Sequence, residues 1–452
     1  MIIRGCFYKS GRGLNSCYAV PMQKTFPIKV EKIAHDGAAE ATHEGKPVRI
    51  HGMLPEEEGV VEAHSKHGIF IGTLKELTVA SPSRKMPEEL HYLSCSPWQV
   101  MEYPLQAALK ADMLTELFGY YDREVKVGFT PTEKFFGYRT KVEFSFLDRE
   151  GDLTVPLSLA FHVRGGGNAR LPLPEGCALA SEPMDRAALM ITERLRDLGY
   201  VSRDLKTLII RESKTDGKLI AILYAKCLEV TKFPVSDIPN LAGLIVFHST
   251  EKSPASVPTK ELWRVGDDSL IETIADVSLR YSWDSFFQNN IPVFAAAVEM
   301  MRLHVQKDAR VLELYSGVGS IGLLLAKEAK EVRGVEIVPA AVEAANQNAY
   351  DNGITNYHAE CLPAEKMDGE LLSGADVLVL DPPRVGLHPK LIAHIREKLP
   401  PKIVYLSCNP ETQARDHSAL ADLYQIDLIH GFDFYPNTPH SESLLVLSLR
   451  NK

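Results

Sequence analysis

The chain has 452 residues, 45% hydrophobic and 24% charged, with a formal net charge of −9 at pH 7. That length exceeds one ordinary core and implies two or three domains, and no apolar run is long enough to cross a bilayer. The negative balance counts against a general polyanion binder, so nucleic-acid contacts must come from local basic patches. Lys126, Lys134, Arg139, Lys141, Arg164 and Arg170 are the candidates.

The seven cysteines are odd in number and none forms a Cys-x-x-Cys pair, which argues against a disulfide framework and fits a reducing cytoplasm. No metal-ligand set is read from the sequence. His64 and His67 lie three apart with no second pair nearby, so a solvated loop is expected there. Residues 1–25 have scattered basic residues and no continuous apolar stretch, and are read as a loose leader.

Residues 26–80 read as short β segments. Ile28 to Ile33 alternates apolar and polar, and glycines at 37, 45, 52, 59, 68 and 72 punctuate the region. A small OB-like barrel of about five strands suits that length. A Ser/Pro-marked connector follows, then a helix over 105–121 with Leu105, Ala108, Leu109, Met113, Leu114 and Leu117 on one face. The pattern is mixed from 122 to about 273. Strands are expected at 141–146, 208–211, 219–224 and 243–248, a helix at 190–198, and a flexible turn at Gly165-Gly166-Gly167. From about 275 the rhythm changes. Strands at 310–314, 332–335, 377–380, 403–406, 424–429 and 444–449 alternate with helical stretches such as 321–329 and 340–350. That is the pattern of a doubly wound, mostly parallel α/β sheet.

Three groups of residues fall at the ends of those strands, where open α/β sheets bind ligands. Glu313 to Gly319 is a tight turn with two glycines, and Glu336 ends the next strand, where an acid can accept ribose hydroxyls. The turn lacks the third glycine of a dinucleotide fingerprint, and Glu313 would repel phosphate. A positively charged nucleoside fits better, with S-adenosylmethionine the obvious choice. Asp381-Pro382-Pro383 follows another strand, its prolines stiffening the segment that holds the carboxylate. Cys408 follows a third, with helical residues starting near Glu411, and a helix N-terminus lowers a thiol pKa. Near the C-terminus, His440 and Glu442 are competing bases.

Together these residues resemble the RNA uracil-5-methyltransferase family, in its branch with an N-terminal TRAM barrel. Phe286-Phe287-Gln288-Asn289-Asn290 is similar to its Phe-x-Gln-x-Asn signature. The 313–319 turn is similar to Asp-Leu-Tyr-Cys-Gly-x-Gly, and 381–386 to Asp-Pro-Pro-Arg-x-Gly. Residues 407–411 match the Ser-Cys-Asn-Pro nucleophile motif, and 436–442 match Pro-x-Thr-x-His-x-Glu.

The resemblance implies an α/β protein with a Rossmann-like S-adenosylmethionine methyltransferase domain over 275–452. It implies an N-terminal OB-like β-barrel over 26–80. Between them, 81–274 would supply a connector, a helix packing on the catalytic domain and a central α+β RNA-binding domain. It also implies Cys408 as nucleophile, Glu442 as general base, and Gln288, Tyr315, Ser320, Glu336, Glu360 and Asp381 around the cofactor. The expected reaction is 5-methyluridine formation in structured RNA, with ribosomal RNA as lead substrate and transfer RNA as the alternative. The expected location is the cytoplasm. An RNA cytosine-5-methyltransferase would show a Pro-Cys nucleophile motif, which is absent around Cys408. A non-catalytic RNA-binding factor sits poorly with the intact Cys408, Glu442 and Asp381. Many members hold an iron–sulfur cluster on Cys-x5-Cys-x2-Cys plus a distant cysteine. Here only Cys95 and, distantly, Cys177 remain, too few thiolates for four irons, so a cluster-free protein is expected.

Overall fold

The computed structural model describes residues 24–120, 126–148, 156–164, 169–367 and 369–450. Most of the expected leader and the Gly165-Gly166-Gly167 turn lie outside the described residues, whereas Lys24 and Thr25 already belong to the first strand. Among the described residues, no helix is long and apolar enough to cross a membrane.

The N-terminal sheet runs Lys24–Lys29, Glu58–Lys66, Ile69–Val79, Lys46–His51, Ala39–His43, Lys32–Ile33. Its two edge strands are one stretch of chain that bends between them. Val30 N donates to Glu57 O at 2.9 Å and Glu31 N to Glu40 O at 2.8 Å, so the bend closes the sheet on itself. Alternation dictates the interior: Phe26, Ile28, Val48, Ile50, Val61 and Ala63 point inward.

The central sheet has seven strands, in the order Arg170–Pro172, Ser158–His162, Lys141–Leu147, Leu205–Glu212, Leu219–Ala225, Leu241–His248, Lys260–Gly266. Leu219–Ala225 is buried along its whole length. Its odd-numbered residues pack with the helix Glu182–Asp197, and Ile220, Ile222 and Tyr224 pack toward the C-terminal α/β part of the chain. A strand covered on both faces reads as a continuous apolar run. The helix starts earlier than expected, because Ser181 caps it by accepting from Met184 N.

The C-terminal sheet has eight strands, ordered Tyr357–Cys361, Glu331–Glu336, Arg310–Leu314, Val377–Leu380, Lys402–Ser407, Glu442–Leu449, Tyr424–Phe432, Val127–Thr130. The first five are parallel, and Glu442–Leu449 runs against its neighbours. The expected helix at 321–329 is reduced to Gly322–Leu325. Val127–Thr130, short and without alternation, joins this sheet from well outside the 275–452 stretch.

The helix expected at 105–121 spans Tyr103–Gly119. It carries two apolar stripes. Leu105, Leu109 and Met113 pack on the N-terminal sheet, and Leu114, Leu117 and Phe118 on the core of the C-terminal sheet. Between them lie two polar residues that are fully buried, Gln106 and Lys110. Lys110 Nζ bonds Asp433 Oδ1 at 2.6 Å and Tyr435 O at 3.1 Å. Gln106 Nε2 donates to Asn437 Oδ1 at 3.0 Å, and Asn437 N returns a bond to Gln106 Oε1 at 2.8 Å. The helix therefore holds the loop that leads into Glu442.

Candidate active site

The parallel register puts Leu314 beside Val335 and Leu380. One step further, Tyr315, Glu336 and Asp381 share one row at the carboxyl edge of the sheet. Tyr315 adopts φ 65°, a left-handed conformation rare for a bulky residue. Such strain, of order 1–3 kcal/mol, clusters at functional sites. Gly317 N donates to Glu336 Oε2 at 3.0 Å, while Ile337 N and Val338 N donate to Oε1 at 2.7 and 3.0 Å. Three of the roughly four acceptor positions of this carboxylate are thus taken, so it presents one to a ligand where the sequence suggested two. Gln288 Nε2 lies 3.4 Å from Asp381 Oδ2. Ser320 ends the turn, half-buried. Glu360 stands beside Val335 and pairs with Arg333.

Glu313 behaves differently from expectation. It is buried, accepts from Gly322 N at 3.0 Å and supports the turn from beneath. Burial pushes its carboxyl up to about 8, with the charges of Asp381 and Glu336 adding to the rise. Near pH 7 it is therefore largely uncharged and does not itself repel phosphate. Burial also pushes Asp381 up to about 7. Among the described residues, the two carboxyls of the row, Glu336 and Asp381, make no ion pair, which leaves the row short of positive charge.

The second half of the site rests on an antiparallel pair. Lys402–Ser407 pairs with Glu442–Leu449, with Leu406 opposite Leu444 and Ser407 opposite Ser443. The register continues one step to set Cys408 opposite Glu442. Asn409 and Thr412, at the start of helix Pro410–Ser418, donate to Arg384 O at 3.0 and 3.2 Å. These bonds draw the Asp-Pro-Pro-Arg loop over the thiol. Gly386 turns that loop at φ 77°, and a Cβ there would stand 2.5 Å from Asp416 Oδ2, so only glycine suits the position.

The helix start does not lower the Cys408 thiol as expected. Burial, with the charges of Glu442 and Asp381, pushes it up to about 12, and Arg384 opposes the shift. Glu442 is buried and held well above the usual carboxylate range, by burial first and Asp381 second, while Tyr435 Oη donates to it at 3.4 Å. His440 moves the other way, down to about 4, through burial and then Arg384. It is neutral near pH 7 and a weak proton acceptor.

Cys408, Arg384 and His440 open onto a cavity of about 210 Å³ that is also lined by His35 and Asp36 of the barrel and by Leu117. A cavity of about 310 Å³ elsewhere on the sheet, bordered by Arg310, Glu331 and Gly374, contains no cysteine. Phe286 is 70% exposed while Phe287 is buried, so Phe286 is not part of the core. Half of the expected basic patch is committed or turned inward. Arg164 donates to Leu93 O at 3.1 Å, Arg170 to Phe146 O at 2.6 Å, and Arg139 lies against Tyr138.

The residues overlooked in the sequence are Arg384, Tyr435 and the exposed apolar pair Ile337 and Val338 beside Glu336. Arg384 belongs to a motif already recognised, and its place two residues beyond Pro382 could have marked it. Tyr435 carried no signal.

The family model described as tRNA (Uracil-5-)-methyltransferase matches residues 265–450. An uncharacterized RNA methyltransferase of Halalkalibacterium halodurans is 30% identical over 455 residues, covering 94% of this chain and 97% of that one. One from Lactobacillus johnsonii is 29% identical, covering 94% and 98%. The fold is shared with a Pyrococcus abyssi tRNA (uracil-54, C5)-methyltransferase solved with S-adenosyl-L-homocysteine. That match has a TM-score of 0.76 and 24% identity, and covers 93% of this chain and 100% of that one. With relatives aligned end to end and the motifs above in order, the chain belongs to the RNA uracil-5-methyltransferase family.

Proposed function

We propose that the protein methylates uracil carbon-5 in structured RNA through a covalent adduct at Cys408, with S-adenosylmethionine as methyl donor and ribosomal RNA as lead substrate. The observation that carries this reading is the strand register that sets the thiol of Cys408, which lines an open cavity, opposite the buried carboxyl of Glu442. The negative row of Tyr315, Glu336 and Asp381, with Gln288 on Asp381, suits a cationic nucleoside. Ser320, Ile337, Val338 and Glu360 border it. When bound, S-adenosylmethionine supplies an electrophilic methyl group.

Cys408, its proton lost to solvent, adds as the thiolate to uracil carbon-6, and the ring electron pair moves to carbon-5, making that carbon nucleophilic toward the methyl that bound S-adenosylmethionine would supply, with S-adenosylhomocysteine as the leaving group. Arg384, beside the sulfur, favours the thiolate. Glu442 acts as base in its ionised form, which the Tyr435 hydroxyl and Arg384 favour against burial. Glu442 then takes the carbon-5 proton, the carbon-6–sulfur bond breaks with its electrons returning to sulfur, and the double bond reforms. The target base must leave its stack to be reached on both faces. Phe286 is exposed and available to stack on it or a neighbour.

Glu442→Gln is expected to form the adduct but release product slowly, lowering turnover by about 10²–10⁴-fold. Single-turnover assays that find normal release would move the base role to His440 or water. A second prediction follows from Asp381. Its carboxyl titrates near 7 in the free protein, and a neighbouring cation favours the ionised form. S-adenosylmethionine should therefore bind about tenfold more weakly at pH 6 than at pH 8. The neutral thioether S-adenosylhomocysteine should show a clearly smaller change. Equal pH dependence for the two by calorimetry would remove Asp381 from the sulfonium site.

Transfer RNA is the second reading. It is favoured by the matching family model, which is described as a tRNA methyltransferase, and by the Pyrococcus abyssi protein of the same fold, a tRNA (uracil-54, C5)-methyltransferase. Mapping 5-methyluridine in RNA from cells with and without the protein tests both. Loss of a large-subunit ribosomal 5-methyluridine supports the first reading, and loss confined to transfer RNA replaces it with the second.

A further inference from the structure

Away from the cleft, the connector closes a cluster that the reaction does not use. Glu89, His91, Cys95 and Cys177 bring one ligand atom each within 4.8 Å of the others. His91 is only 9% exposed, and its Nε2, although 2.9 Å from Glu89 Oε1, makes no hydrogen bond of acceptable geometry. The surroundings already orient the group. Gln99 Nε2 and Ala178 N donate to Glu89 at 2.8 and 2.5 Å, and Cys177 N donates to Asp185 Oδ1 at 3.0 Å. A buried imidazole, two sulfurs and a carboxylate, paired among themselves, converge as a ligand set for a cation.

These residues do not fit the iron–sulfur cluster of the wider family, which takes four thiolates. Two sulfurs, one imidazole nitrogen and one carboxylate oxygen are the donors that zinc accepts in four-coordinate tetrahedral sites. Bond lengths of about 2.0–2.3 Å place such donors roughly 3.2–3.8 Å apart, within reach of small side-chain adjustments here. We propose that Glu89, His91, Cys95 and Cys177 bind a single structural zinc ion that clamps the connector to the central module. Both cysteines ligate as thiolates, so their protons are released on binding. Four protein ligands leave no open position, which makes the site structural rather than catalytic. The clamp is linked in space to the loop that leads into Glu442. Trp98 N, three residues past Cys95, donates to Asn437 O at 3.0 Å, so losing zinc should loosen the loop that leads into Glu442.

The test uses the full chain, purified under reducing conditions without a metal-affinity step, with metals counted by mass spectrometry. About one zinc per chain is expected, lost in Cys177→Ser and in His91→Ala and retained in Cys227→Ser. Stripping zinc from the parent protein should lower Tm and adding zinc back should restore it. Cobalt in its place should give the visible bands of a tetrahedral thiolate site, a readout that stands even where a variant fails to fold. Stoichiometric iron with inorganic sulfide, a Cys95–Cys177 disulfide in the reduced preparation, or neither bound zinc nor a Tm response to added zinc would each overturn the proposal.

Discussion

Cys408→Ala is expected to abolish 5-methyluridine formation, lowering the rate by on the order of 10⁴-fold or more, because no other group can raise electron density at carbon-5. Fold and cofactor binding should survive. The side chain is half-buried at the cavity floor rather than in a core cluster, and the row of Tyr315, Glu336 and Asp381 lies on neighbouring strands. In the free protein the thiol is held protonated by burial and two carboxyls. Alkylation of Cys408 should therefore be slow at neutral pH and accelerate upward through alkaline pH. Residual methylation by the alanine variant near the parental rate would mean that the adduct lies elsewhere.

Lys110→Ala should be the most damaging change away from the chemistry. It leaves the Asp433 carboxylate buried without its cation, and breaking such a pair costs about 3–5 kcal/mol. Both side chains are inaccessible, 2.6 Å apart, with Tyr103 Oη also donating to Asp433 at 2.9 Å. A swap of both partners, Lys110→Met with Asp433→Asn, should recover much of the loss, because an uncharged pair avoids the desolvation cost. Urea unfolding of the three proteins is the measurement. A loss below about 1 kcal/mol in the single variant would mean that water reaches the carboxylate. Activity should fall as well, since Lys110 also holds Tyr435 O on the approach to Glu442.

The catalytic sheet is largely legible in the sequence because its central strands are buried on both faces. Val377–Leu380 reads as an uninterrupted apolar run, and both it and Arg310–Leu314 emerge with the expected bounds. Cys408, Asp381 and Glu336 are legible because each stands at or just past the end of a strand. The barrel is legible from alternation and turn spacing. What stays hidden depends on contacts distant in the chain. The buried face of Tyr103–Gly119 includes Gln106 and Lys110, which no apolar periodicity would place inside. Their partners, Asn437 and Asp433, lie more than 300 residues away. The direction of the Cys408 shift does not follow from the helix start alone, because burial and the carboxyls across the sheet outweigh it. In the connector only Cys95 stands out as a ligand. Glu89 and His91 gain that meaning through their convergence with Cys177, which depends on the fold.

The central claim, a covalent bond between Cys408 and uracil carbon-6, is tested most directly by incubating the protein and S-adenosylmethionine with RNA carrying 5-fluorouridine, whose fluorine cannot leave as a proton does. A complex stable to denaturation should accumulate, and digestion should yield a peptide containing Cys408 joined to a methylated fluorinated nucleotide. Methylation of ordinary RNA by the same preparation with no trapped complex, or with the nucleotide joined to another residue such as Cys361, would contradict it.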